Sequence, residues 1–149
     1  MSPEGSLAET IRAAMNAARK AQDKDRTLVL GTILANLKNR EIELGRLPAD
    51  DEVIEVVRKG IKLRREAAEQ YAKAGRAELA ANEESQIRVL EEFLPPAVDP
   101  AEIRAAVREV IAGGTREMGR VMGQVLPRFK GRVEGKVVNQ IVREELQAG

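Results

Sequence analysis

Apolar residues recur at every third or fourth position along most of this chain, which is the spacing of amphipathic α-helices. Four such segments precede Pro95–Pro96: one after Ser6, one after Asp25 as a possible N-cap, one from Asp50 or Asp51 toward Gly75, and one from about Glu78 to Phe93. Two consecutive prolines end a helix, because each lacks a backbone N–H and restricts the preceding residue. The pattern predicts an N-terminal helical hairpin or bundle as a domain over residues 1–95.

Three further helices are predicted over residues 96–149. Asp99, Pro100 and Glu102 supply an N-cap, a proline at the first helical position and a glutamate at the third, and Gly113–Gly114 ends that helix. Thr115 is a suitable N-cap for a short helix that ends at Pro127. The apolar faces of this helix and the last one comprise Met118, Val121, Met122, Val125 and Leu126, then Val137, Val138, Ile141, Val142 and Leu146. No strand pattern is present, so the predicted fold class is all-α, with a compact three-helix C-terminal bundle.

Two glycines lie one turn apart inside the predicted short helix. Gly119 and Gly123 each cost about 1 kcal/mol relative to alanine in a helix interior. Close packing of another helix is the commoner reason for such a glycine, and a ligand surface is the alternative. The sequence favours helix packing and leaves both interpretations open.

Composition narrows the chemistry that this chain can perform. Aromatic residues make up 2% of the chain and apolar residues 43%, which predicts a core of aliphatic side chains and methionine. The absence of cysteine and histidine removes thiol nucleophiles, the commonest general base and the commonest metal ligands. We therefore expect no catalytic residues, no metal and no cofactor. The sequence contains no recognisable signal peptide and no long apolar run, so we expect a cytoplasmic protein without a membrane partner.

The positive charge is concentrated near the C-terminus. Residues 116–143 contain seven lysines and arginines and two glutamates, so 7 − 2 = +5, which leaves −4 for the rest of a chain of net charge +1. Within this segment Lys130, Arg132 and Lys136 alternate with Gly131 and Gly135, and a helix N-terminus follows. Glycines that expose backbone N–H groups beside cations favour a bound phosphate.

Three more residues are candidates for the same anionic partner. Asn139, one turn into the last helix, could hydrogen-bond a base edge or a ribose hydroxyl, or make a structural bond to the loop. Arg116 and Arg120 lie at the other end of the short helix, about 15 Å from the basic loop at 1.5 Å per residue. The hypothesis requires that the loop cations lie on one side and are not occupied by neighbouring carboxylates.

The same residues carry a family resemblance. The segments 118–123, 130–132 and 138–139, together with Pro127 and Gly135, resemble the signature of the GatB/YqeY family. Residues 73–76 and 89–95 are similar to the middle region of that family, so that the resemblance extends from about Ile11 to Leu146. Glu134 departs from the pattern, since the family usually has aspartate before the glycine.

The resemblance implies a role in tRNA metabolism. The C-terminal part is similar to the helical tail of the B subunit of the tRNA-dependent amidotransferase. In that enzyme the tail binds tRNA, while other domains convert glutamyl- or aspartyl-tRNA into glutaminyl- or asparaginyl-tRNA. The resemblance therefore implies a tRNA-binding, non-catalytic factor, with aminoacyl-tRNA synthetases or amidotransferase subunits as possible partners.

Two alternatives remain open at this point. The first is a protein-interaction adaptor, to which the cationic segment 58–65 could contribute. The second is a component with carbon–nitrogen ligase activity that uses glutamine as amido donor, which the family association suggests.

Overall fold

The computed structural model of the chain describes residues 6–129 and 132–148, and the regular elements in these ranges are all helical. Residues up to Leu94 form one compact unit and residues from Pro95 form another. The first unit contains α1 (Leu7–Lys20), α2 (Lys24–Leu44), α3 (Asp50–Lys73) and α4 (Ala77–Glu91). The second contains α5 (Pro100–Ala112), α6 (Met118–Val125), a 3-10 helix (Leu126–Phe129) and α7 (Gly135–Ala148). The predicted all-α class is confirmed, whereas the division into domains 1–95 and 96–149 stays a prediction.

The first unit is a bundle of two helical hairpins around an aliphatic core. Helix α3 packs along α4, and α1 packs along α2. The core includes Ile11, Leu30, Ile33, Val53 and Leu90, each with no more than a trace of exposed surface. Among the described residues, no aromatic side chain is fully buried in this core, and Phe93 packs against it partly buried, in agreement with the composition.

The second unit is a three-helix bundle in which α5, α6 and α7 contact one another in pairs. Its core consists mainly of valine and isoleucine, and Phe129 at the end of the 3-10 helix supplies its one aromatic ring among the buried residues. Val137 was predicted to face inward, but 36% of it is exposed. It lies on the solvent side because α7 begins at Gly135 and turns Val138, Ile141 and Val142 toward the core instead.

Of the four helix caps that the sequence predicts, two are correct and two are not, and α3 begins at Asp50 as predicted. Ser6 caps α1 and Asp99 caps α5, since the side chain of each accepts a bond from a backbone N–H of the first turn. Asp23 rather than Asp25 caps α2, accepting from the N–H of Arg26 at 3.1 Å. Helix α6 begins after Glu117 rather than Thr115.

Among the residues that the structure describes, no helix combines the length and the apolar character needed to cross a bilayer.

Candidate nucleic-acid interface

Helix α6 carries the two glycines that the sequence singles out. A Cβ added at Gly123 would meet nothing within 4 Å, and one added at Gly119 would approach only Oε1 of Glu117, at 3.9 Å. The expected close helix packing is therefore wrong for the described part of the chain. The glycines leave the backbone of α6 open on this side, and the ligand-surface interpretation stays a prediction.

The cations near the start of α6 are exposed. Arg120 lies 3.4 Å from Oε2 of Glu117, and both side chains are mostly solvent-accessible. Arg116 is exposed and has no ion pair or side-chain hydrogen bond with any described residue. Arg116 is thus available to an external anion.

The basic loop is only partly described, because Lys130 and Gly131 lie outside the described residues. Arg132 is half-exposed, and its Nη2 lies 3.4 Å from Oε2 of Glu102 on α5. Its guanidinium carbon also lies 5.8 Å from the centroid of the Phe129 ring, a cation–π contact that anchors the loop to the core.

Lys136 and Gly135 begin the last helix. Gly135 is the first residue of α7, as expected for a backbone that exposes N–H groups at a helix N-terminus. Nζ of Lys136 lies 3.7 Å from Oε2 of Glu134, and 84% of the lysine side chain is exposed. Glu134 thus contributes a carboxylate beside the cation that was expected to bind phosphate.

Asn139 makes a different contact from the one expected. Its Oδ1 accepts a hydrogen bond of 3.2 Å from Nη2 of Arg143, one turn further along α7. This partner lies on the same helix, and both predicted roles of Asn139, a contact to RNA and a structural bond to the loop, stay predictions. Arg143 is exposed and was not a candidate residue, although its spacing of four from Asn139 is a signal that the sequence contains.

Carboxylates from α5 reduce the positive charge of this surface. Arg128 lies 3.3 Å from Glu109, in the same way that Arg132 lies near Glu102. The segment 116–143 carries 7 − 2 = +5 by sequence, and including these two glutamates gives 7 − 4 = +3. The requirement that the loop cations be free of carboxylates is not met by Arg132 or Lys136.

These ion pairs are nevertheless weak competitors for a phosphate. Exposed pairs contribute about 0–1 kcal/mol, and distances of 3.4 and 3.7 Å are long for a charged hydrogen bond. Replacing one exposed carboxylate by the phosphates of a nucleic-acid backbone therefore costs little free energy. The binding roles of Arg132 and Lys136 stay predictions.

A second charged cluster joins α5 to α7. Arg104 donates to Glu144 at 2.9 Å and to Glu145 at 2.8 Å, and Arg108 donates to Glu145 at 2.5 Å. The hydrogen bond from Arg108 and then that from Arg104 lower the pKa of Glu145, and the bond from Arg104 lowers that of Glu144. These cations are committed to holding two helices together.

Comparison with known proteins identifies the family of this chain. The sequence model of the family described as Yqey-like protein matches residues 8–146. The chain belongs to the YqeY-like family. It is also similar to the uncharacterized protein C22F3.15 of Schizosaccharomyces pombe, with 36% identity over 89 residues that cover 60% of this chain and 72% of the yeast protein.

Membership of the YqeY-like family confirms the resemblance found in the sequence. The match includes the glycine-bearing α6, the basic loop and most of α7, and also the whole of α2, α3 and α4.

Proposed function

We propose that this YqeY-like chain is a tRNA-binding factor that catalyses no reaction itself and serves glutaminyl- or asparaginyl-tRNA metabolism. The observation that carries the proposal is the open surface of α6, where Gly119 and Gly123 leave the backbone uncovered next to exposed arginines. Each glycine destabilises the helix by about 1 kcal/mol, and no described residue uses the space that it leaves. Close approach of an RNA backbone accounts for that space.

The charged residues around α6 support a phosphate-bearing partner. Among the described residues, Arg116 has no carboxylate in an ion pair, and Arg143 has a side-chain hydrogen bond to the neutral amide of Asn139. Lys130 adds a further cation to the loop by sequence. Because the chain has three aromatic residues and Phe129 is buried, base stacking is a minor part of the proposed contact. Recognition of the shape and phosphates of a folded RNA is the mode that fits.

The salt dependence of tRNA binding tests the proposal. The triple substitution of Lys130, Arg132 and Lys136 by alanine should weaken binding and flatten the plot of log affinity against log salt concentration. Each lost phosphate contact should reduce the slope by about 0.7–0.9. Fluorescence anisotropy with unmodified tRNA at several salt concentrations measures both quantities.

A matched variant separates local contacts from net charge. Substitution of Arg19, Lys20 and Lys24 by alanine removes the same three charges from exposed positions around the junction of α1 and α2. We expect its salt slope to stay close to that of the parent. Equal binding by the loop variant and the parent, with unchanged helical circular dichroism, would overturn the proposed role of the loop.

Co-purification distinguishes the adaptor alternative. If the chain binds tRNA, synthetases or amidotransferase subunits recovered with it should be lost after ribonuclease treatment. Partners that survive ribonuclease would instead favour a protein adaptor.

A further inference from the structure

A polar cleft lies in the first unit, between α2 and α3. These two helices contact each other over a shorter stretch than α3 and α4 do, and the space that remains has a volume of about 540 Å³. Its walls combine three cations, Arg40, Lys59 and Arg64, with two carboxylates, Glu43 and Glu55. The second unit contributes no residue to this cleft.

Arg64 is held in place by neutral hydrogen-bond acceptors. Its Nε donates to Oε1 of Gln86 on α4 at 3.0 Å, and its Nη1 donates to the carbonyl oxygen of Gly60 at 3.0 Å. Partial burial lowers the pKa of Arg64, although a guanidinium remains protonated at neutral pH. Within residues 6–129 and 132–148, no carboxylate lies within ion-pair distance of Arg64.

Gly60 makes this arrangement possible. A Cβ at this position would lie 3.2 Å from Nη1 of Arg64 and 2.9 Å from Cδ1 of the buried Ile33. The missing side chain therefore lets the guanidinium lie against the backbone of α3, where it donates to the carbonyl oxygen of Gly60. The position of the cation is determined by packing, not by solvent.

The lack of an ion pair distinguishes Arg64 from three other arginines of this chain. Arg26, Arg46 and Arg104 each bond both terminal nitrogens to carboxylates, at 2.7–3.1 Å. By contrast, neither Arg40 nor Lys59 makes an ion pair with any described residue. The cleft therefore gathers three cations that form no close ion pair with the described residues, although Glu43 and Glu55 lie in the same walls.

Polar and apolar groups beside the cations narrow the ligand class. Asn36 and Asn39 line the cleft with amides that make no side-chain hydrogen bond to described residues. Val56 and Leu63, the latter 55% exposed, add an apolar surface. Glu43 and Glu55 oppose any anion, so they favour a ligand with a single phosphate over a polycarboxylate peptide, and they can accept hydrogen bonds from hydroxyl and amino groups.

We propose that this cleft binds a nucleotide, with its phosphate on Lys59, Arg64 and Arg40. The ribose hydroxyls and base N–H groups bond to the carboxylates and amides, and the base lies against Leu63 and Val56. The nucleotide is either free in solution or one residue of a bound RNA. The proposal does not depend on tRNA binding by the second unit, because no residue is shared.

Two lysines one turn apart on α3 provide a matched test. Lys59 lines the cleft, whereas Lys62 is exposed on the same helix and does not. Adenosine monophosphate is titrated into ¹⁵N-labelled full-length protein, and amide shifts of α2 and α3 are followed by nuclear magnetic resonance. We expect saturable shifts around Asn36 and Lys59, and a dissociation constant raised about tenfold by Lys59→Gln, the scale of one charge-assisted hydrogen bond.

The experiment includes a control substitution, Lys62→Gln, and a comparison of free mononucleotide with RNA. Lys62→Gln should change the dissociation constant less than about twofold, because an exposed charge outside the cleft is screened.

If a short single-stranded RNA shifts the same amides and the free mononucleotide does not, the ligand is a residue of RNA. Equal effects of the two substitutions, or saturation by a polyglutamate peptide alone, would overturn the proposal. So would the absence of cleft shifts with both nucleotide and RNA. The triple alanine variant of the basic loop should leave mononucleotide binding unchanged, which keeps this test separate from that of the proposed function.

Discussion

At the scale of single residues, identical glycines have opposite roles in this chain. Gly60, Gly119 and Gly123 all lie in helix interiors, and nothing in the sequence separates them. The structure shows that Gly60 is enclosed by Ile33, Arg64 and Leu90, whereas Gly123 has no neighbour within 4 Å. Local spacing predicts helix packing at Gly119 and Gly123, but it contains no information about neighbours that come from distant parts of the chain.

The same substitution at two of these glycines tests that difference. Gly123→Ala should raise the free energy of unfolding by about 1 kcal/mol, since the methyl group meets open space and alanine favours the helix. Gly60→Ala should give no such gain, because its Cβ would lie 2.9 Å from a buried isoleucine and must displace it. Urea unfolding followed by circular dichroism measures both. A loss of stability in Gly123→Ala would show that the space is filled and would remove the main support for an open α6 surface.

At the scale of helices, local signals predicted the ends that depend on neighbouring residues. Ser6 and Asp99 cap the helices that follow them, and Gly45 ends α2 in the left-handed conformation with φ of 71°. The start of α3 makes a contact with a residue far away in the sequence, which local signals do not predict. Oδ1 of Asp50 accepts from the backbone N–H of Leu7 at 2.9 Å and so satisfies the first turn of α1 instead.

Glu52 caps the start of α3, and its ionisation makes the stability of this helix depend on pH. Its carboxylate binds both terminal nitrogens of Arg46 at 2.7 and 3.0 Å and accepts from the N–H of Ala49 at 2.9 Å. The bond from Arg46, followed by that from Ala49, lowers the pKa of Glu52 from 4.5 to about 2. Because the folded pKa is the lower one, this stabilisation is present above pH 4.5 and is lost as pH falls toward 2.

Glu52→Gln tests this linkage. The amide keeps an acceptor for the N–H of Ala49 but loses the charge that Arg46 binds. We expect the variant to melt at a lower temperature than the parent at pH 7, and the difference to shrink between pH 4.5 and 2. Thermal unfolding at each pH gives the answer, and Glu55→Gln, one turn further along α3, is the control. A difference between Glu52→Gln and the parent that stays constant over this range would refute the assignment.

At the scale of the whole molecule, the sequence predicted the cluster of cations but not the charges that face it. Glu102 and Glu109 lie outside the basic segment and reach Arg132 and Arg128 only because α5 packs against the rest of its unit. The cleft of the first unit escaped prediction for the same reason. Arg40 and Lys59 belong to different helices, and the cationic segment 58–65 suggested a protein contact rather than a pocket.

The two units of the chain are expected to fold independently. Each has its own aliphatic core, and no buried residue belongs to both. We therefore expect fragments 1–94 and 95–149 to fold separately, with helical circular dichroism and cooperative thermal unfolding. The second fragment should melt at the lower temperature, because a chain of 149 − 94 = 55 residues buries a smaller share of its surface.

A cut at a different turn gives the control for that experiment. Division after Gly75, between α3 and α4, removes Ile87 and Leu90 from the core that they share with Ile33 and Val57. The resulting fragment 1–75 should lose cooperative unfolding although its cut also falls at a turn between helices. If fragment 1–94 behaved no better than fragment 1–75, the core of the first unit would depend on residues beyond Leu94. Cooperative unfolding of fragment 95–149 together with retained tRNA binding would instead show that the proposed interface needs only the second unit.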